Sequence, residues 1–180
     1  MTSTIQQSLA SNWHRSVGII FRDNRPVLVR SLLNSGKTVS GTSNTSKPGS
    51  NDLSQSDIKL NQIEIDSLNW TIFTALDGID AATANLYSNS KTGNTLSNNL
   101  GVIQASDTHK ILGYITATRV KFILILDCAK PIPKDSDVRQ FFEKLHQLWA
   151  RLCASPFYKQ GELVTQERFV KGVDQLLIKL

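Results

Sequence analysis

Three histidines, two cysteines and one glycine-lysine run are the places in this chain where residue type invites chemistry. His14, His109 and His146 are widely separated. None has a Cys, Asp or Glu at the spacing of a metal set or a nucleophile–base pair. His146 falls beside an apolar stripe, where a rim or core histidine is expected rather than a general base. Cys128 and Cys153 sit in apolar surroundings without a second ligand at zinc spacing. They are expected to be reduced core thiols rather than a disulfide or a metal site. The run "SLLNSGKT" ends like a phosphate-binding loop, but the motif needs glycine at position 31 and Ser31 stands there. No strong helix follows it. Asn44-Thr45-Ser46 and Asn69-Trp70-Thr71 match the glycosylation acceptor pattern. Both would be idle in a cytosolic chain, and the second falls within a helical pattern. The reading is of a protein that is not an enzyme, with no catalytic residue, no cofactor and no metal.

The first β-rich stretch carries Arg15, Arg22, Arg25 and Arg30 against a single acid, Asp23. Aromatic residues are not interleaved with them as stacking platforms, so a solvated hairpin face is expected rather than a nucleic-acid or membrane contact. Formal net charge is +5 over 180 residues, a mild excess that does not call for nucleic acid. Hydrophobic content is 40% and charged content 19%, enough for the core of one domain. The N-terminal "MTSTIQQSLASNWHRS" lacks the apolar segment of a secretory signal. No run approaches the roughly 18 apolar residues of a membrane span. A soluble, cytoplasmic chain is expected, with any membrane association peripheral or supplied by partners.

The elements that position these residues follow from periodicity. Residues 1–14 are polar and expected to be frayed. "SVGIIFRDNRPVLVRSLL" reads as two strands split at Asp23-Asn24, with Pro26 opening the second, where its missing N–H is tolerated. In residues 34–57 only Val39 and Leu53 are apolar among Ser, Thr, Gly and Asn. That composition predicts a disordered insertion, since it cannot offset its ordering entropy. Leu68, Ile72, Phe73, Leu76, Ile79, Thr83 and Leu86 recur at helical spacing, with Asp66 or Ser67 as N-cap. "NLGVIQAS", "HKILGYITAT" and "RVKFILIL" form an antiparallel meander joined by short turns. The third run is apolar on both faces, as for a central strand covered on each side.

A second helix places Val138, Phe141, Phe142, Leu145, Leu148, Trp149, Leu152 and Cys153 on one face. Asp135 and Asp137 begin it and Arg151 ends it, matching the helix dipole, and Ser155-Pro156 stops it. A last helix carries Phe169, Val170, Val173, Leu176, Leu177 and Leu180. The predicted order is β-β-α-β-β-β-α-α, a five-stranded antiparallel sheet of the α/β (α+β) class with helices on both faces.

One constellation remains after the chemistry is set aside. Trp70, Thr74, Asp77 and Ala81 follow i, i+4, i+7, i+11 on the first helix, opposite Leu68, Ile72, Leu76 and Ile79. The segment from Leu60 to Ser90 is acidic and holds no Lys or Arg. A tryptophan beside a small residue and an acid on an outward face is the form of an interface anchor. The competing expectation is that the insertion or a terminus covers Trp70.

Residues 15–32 and 60–180 resemble the sedlin-like subunits of the transport protein particle (TRAPP) tethering complex, the subunit 2-like branch in particular. The stretches that carry the likeness are "RPVLVRS", "TALDGIDA", "LGYITATRVKFILILD", "VRQFFEKLHQLW" and "SPFY". Gly113-Tyr114, Lys121-Phe122 through Asp127, and Leu145-His146 match the family pattern. Ser155-Pro156-Phe157-Tyr158 stands where the family reads Asn-Pro-Phe-Tyr, and the 34–57 connection is longer than usual. The resemblance implies a single longin-like (SNARE-like) domain over 1–180, with one helix on one sheet face and two on the other. It implies a non-enzymatic subunit that works through protein–protein interfaces in endoplasmic-reticulum-to-Golgi and Golgi vesicle transport. Its partners would be other TRAPP subunits and, indirectly, a Rab-type GTPase and vesicle membranes, with no nucleic acid and no small-molecule substrate. The chain would be cytoplasmic, held peripherally at the Golgi and endoplasmic reticulum by the complex. Asp77 takes the "LD" position of the family's first helix, which directs attention to the same stripe.

The alternatives are a longin-domain SNARE regulator or coat-adaptor subunit, and a small ligand-binding protein. The SNARE version needs a coiled coil and anchor after Leu180, the last residue. The ligand-binding version needs a pocket with convergent polar groups.

Overall fold

The computed structural model describes residues 13–33, 38–40, 55–89 and 98–180. Its elements run β1 (Trp13–Ile20), β2 (Pro26–Leu33), β3 (Thr38–Ser40), α1 (Gln55–Asn89), β4 (Asn99–Ala105), β5 (His109–Ile115), β6 (Lys121–Asp127), α2 (Asp135–Cys153) and α3 (Glu167–Lys179). The strands form one sheet in the order β3-β2-β1-β6-β5-β4, and every neighbouring pair is antiparallel.

The period of two along β6 divides the core. Phe122, Leu124 and Leu126 point into one cluster, with Val138, Phe142, Leu145 and Trp149 of α2 and Phe169, Val173 and Leu177 of α3. Ile123 and Ile125 point the other way, into a cluster with Leu68, Ile72, Ala75, Leu76 and Ile79 of α1. One helix therefore covers one face and two cover the other, as expected of a longin-like fold. β6 and β1 lie at the centre because their sequences are apolar on both sides.

Two glycines set how closely α1 approaches the sheet. Gly18 and Gly113 both pair with Ile123, from β1 and β5 respectively. A Cβ on Gly18 would meet Ile72 at 3.0 Å, and one on Gly113 would meet Ile103 at 2.8 Å. The row Gly18–Ile123–Gly113 is thus a shallow channel in which α1 and Ile103 of β4 settle. Lys121 ties the same layers together. Its side chain is 7% exposed and its Nζ lies 2.5 Å from Asp80 of α1, and it also donates to Asn24 Oδ1 at 2.8 Å in the β1–β2 turn. Asn24 adopts φ 63 there, the left-handed geometry that Asn tolerates.

Several boundaries differ from expectation. The five long strands are those predicted, and a sixth, the three-residue β3, extends the sheet beyond β2. It lies inside the 34–57 stretch expected to be disordered. An edge strand needs no apolar face, because the ladder to Arg30, Ser31 and Leu32 satisfies its backbone. Helix α1 starts at Gln55, ahead of the N-cap expected at Asp66 or Ser67. The rest of 34–57, and residues 1–12 of the expected frayed end, lie outside the described residues, while Trp13 and His14 belong to β1.

The four arginines of the first hairpin are not all solvated, as the sequence suggested. Arg30 makes a two-pronged bond to Asp174 of α3, with Nε to Oδ1 at 2.8 Å and Nη2 to Oδ2 at 2.6 Å. Arg15 donates to the Leu177 carbonyl at 3.2 Å. Two of the four therefore fasten the sheet to α3. Arg25 pairs with Asp23 at the turn, and Arg22 lies over the Phe21 ring at 5.2 Å.

Candidate protein interface

Helix α1 has two unlike faces. Leu68, Ile72, Ala75, Leu76 and Ile79 are buried against the sheet. Opposite them, Trp70, Thr74, Asp77 and Ala81 are all exposed, so the structure brings the four expected residues onto one outward stripe. Trp70 is 69% exposed and no described segment covers it.

Phe73 belongs with this stripe and not with the core, where periodicity had placed it. It is 64% exposed and lies one turn from Trp70, so the two aromatics are neighbours on the surface. Ala75 takes the inward position instead. Ala carries little apolar signal in a sequence, yet Ala75 is 1% exposed in the α1 cluster. Leu86 lies outside the residues whose side chains are described.

The polar groups around the aromatics are turned inward on the helix itself. Thr71 Oγ1 donates to the Ser67 carbonyl at 2.9 Å and Thr74 Oγ1 to the Thr71 carbonyl at 3.0 Å. Both threonines therefore have their hydroxyls bound on the helix itself. Asp77 has no ion pair among the described residues, whereas Asp80 is held by Lys121. The outward patch is thus two aromatics, Thr74 with its hydroxyl bound, Ala81 and one carboxylate without an ion pair among the described residues. Such a surface offers apolar anchors and a directional acceptor.

His146 and Ser31 make structural contacts. His146 Nδ1 lies 2.8 Å from the Tyr114 hydroxyl, its ring edge packs on Tyr114 and Phe122, and burial pushes its pKa down. Cys128 and Cys153 are free thiols, half-buried at the margin rather than in the core. Burial pushes the Cys153 thiol up, away from the reactive thiolate. Tyr158 is pushed up to about 12, first by burial and then by neighbouring Cys153. A cleft of about 290 Å³ includes His146, Cys153, Arg22 and Thr118. Ser31 of the phosphate-loop-like run is buried in β2 and accepts from Ser16 Oγ at 2.9 Å. Thr38, at the end of that run, enters a strand rather than a helix. Among the described residues no three His, Cys, Asp or Glu side chains gather as a metal set, and no helix is long and apolar enough to cross a membrane.

Comparison with known proteins finds relatives of the sequence. The family described as Sedlin matches residues 19–179. A trafficking protein particle complex subunit 2-like protein of Taeniopygia guttata is 25% identical over 115 residues, covering 62% of this chain and 78% of that protein. The protein of the same name from Mus musculus is 28% identical over 81 residues, covering 45% of this chain and 58% of its own length. The one from Dictyostelium discoideum is 35% identical over 81 residues, covering 45% and 57%. The aligned part spans little more than half the length of the last two.

Proposed function

This chain belongs to the sedlin family, and from that premise we propose that it is a non-enzymatic subunit of a trafficking protein particle (TRAPP) complex. The names carried by its relatives supply the assembly. The observation that carries the mode of action is the outward face of α1, where Trp70 and Phe73 stand exposed beside Asp77. A large aromatic on a rigid helix loses little conformational entropy when a partner covers it. We assign the contact with a neighbouring subunit to Trp70, Phe73, Thr74, Asp77 and Ala81. In this reading the chain acts in vesicle transport between endoplasmic reticulum and Golgi. It contributes surface to the tether, and only indirectly to the activation of a Rab-type GTPase or the approach of a membrane.

The test is affinity purification of the tagged chain from its own cells with mass spectrometry of what elutes. Other TRAPP subunits are expected with the wild type. Trp70→Ala and Asp77→Arg should keep the melting temperature and lose those subunits, with Trp70→Ala costing the contact about 2 kcal/mol or more, roughly thirtyfold. Recovery of the same subunits with both variants would remove the α1 face from the reading. Coat or SNARE components in their place would move the chain to that assembly.

A further inference from the structure

On the opposite side of the sheet, α2 and α3 leave a groove. They approach closely where Gly172 faces Leu148, with only 3.1 Å between a Cβ built there and Leu148 Cδ1. Toward the end of α2 and the start of α3 they enclose about 390 Å³. That volume suits a few side chains of a bound segment. Leu148, Leu152 and Phe169 make the apolar lining, and Arg151, Arg168, Ser155 and Gln166 the polar one.

Three features of this lining are unspent. Neither Arg151 nor Arg168 lies within ion-pair distance of a carboxylate among the described residues. The nearby acids Glu162 and Glu167 are matched with Lys159 and Lys171. Gln166 Oε1 is buried without a hydrogen-bond partner, although a buried acceptor is costly to leave unmet. Gln166 occupies the N-cap position of α3 but makes no side-chain cap bond, so local structure does not use it. Two residues on from Ser155, Phe157 is 88% exposed, a further apolar contact within reach of a segment lying in the groove.

We propose that this groove receives a short acidic and apolar peptide segment of a partner protein. A carboxylate lies between the guanidiniums of Arg151 and Arg168, which suit planar oxygen pairs. An apolar side chain rests on Leu148, Leu152 and Phe169. Two guanidiniums unpaired among the described residues, beside an apolar floor, match a segment that carries acidic and apolar side chains a few residues apart. The site stands on α2 and α3 and does not depend on the α1 contact or on the complex proposed above.

The experiment is selection of random peptides displayed on phage against the full chain. Enriched peptides should combine Asp or Glu with Leu, Ile or Phe. A synthetic copy, followed by fluorescence anisotropy, should weaken about tenfold with Arg151→Gln and again with Arg168→Gln. Amide resonances of residues 148–155 and 166–169 should move on titration. Absence of enrichment, or peptides bound equally by the Arg151→Gln/Arg168→Gln double variant, would overturn the proposal. Arginine-dependent flotation with phosphatidylserine vesicles, without peptide enrichment, would overturn it in favour of a lipid surface.

Discussion

Ile72 and Phe73 are adjacent in sequence and opposite in fate. One step along a helix turns a side chain by about 100°, which takes Phe73 from the seam to the margin of the outward face. Truncating them should separate the two environments. Ile72→Ala should lose about 2–5 kcal/mol of stability, and Phe73→Ala should stay within about 0.5 kcal/mol, both read by urea denaturation. Equal losses would place Phe73 in the core.

His146 gives a second expectation at this scale. Its pKa is lowered in the folded chain from an ordinary value of 6.5 by burial. Below that value the unfolded chain binds the proton more readily, so stability falls as pH falls through 6.5 toward the lower folded pKa. Above 6.5 the group is neutral in both states and contributes no slope. Melting temperatures across this window should decline less in His146→Gln than in the wild type. An unchanged slope would assign the decline to other groups.

At the scale of the element, the seat of α1 depends on what the strands lack. Gly18 and Gly113 flank Ile123, and the side chain of Ile103 comes within 3 Å of where a Cβ of Gly113 would stand. Gly113→Val should force Ile103 and the α1 layer outward, at a cost of about 1–3 kcal/mol for overpacking. Thermal melting reports the loss, and weakened protection of α1 amides from hydrogen exchange reports its place. A melting temperature equal to wild type would show that the layer moves freely. On the other face, the paired Arg30 and Asp174 do the corresponding work for α3, with polar atoms rather than absent ones.

For the whole molecule, the two helical layers share the central strands. β6 sends Phe122, Leu124 and Leu126 to one cluster and Ile123 and Ile125 to the other, so neither layer can lose its packing without disturbing the strand that both use. Phe142→Ala, in the α2 layer, should lose about 3–5 kcal/mol. It should still unfold in a single transition, with far- and near-ultraviolet circular dichroism coincident. Separate transitions would show that the layers fold apart. The same arrangement leaves the α1 stripe and the α2–α3 groove on opposite sides of the sheet, so the two proposed contacts would not compete.

What the sequence determined by itself is what local periodicity can express. Alternation and helical spacing located the five long strands, the apolar faces of α2 and α3, the Asp23-Asn24 turn and the outward position of Trp70, Thr74, Asp77 and Ala81. The stretches from "LGYITATRVKFILILD" to "SPFY" carried the family. The three-residue β3 depended on a neighbour's ladder, since its own residues are Thr, Val and Ser. The outward turn of Phe73 depended on which residues of α1 meet the sheet, and there Ile72 and Ala75 are buried while Phe73 is not. The fastening of Arg15 and Arg30 under α3 joined residues more than a hundred positions apart. The groove with its uncommitted arginines formed only where two helices met. Each of these rests on a contact between distant segments, and no period along a single segment records such a contact.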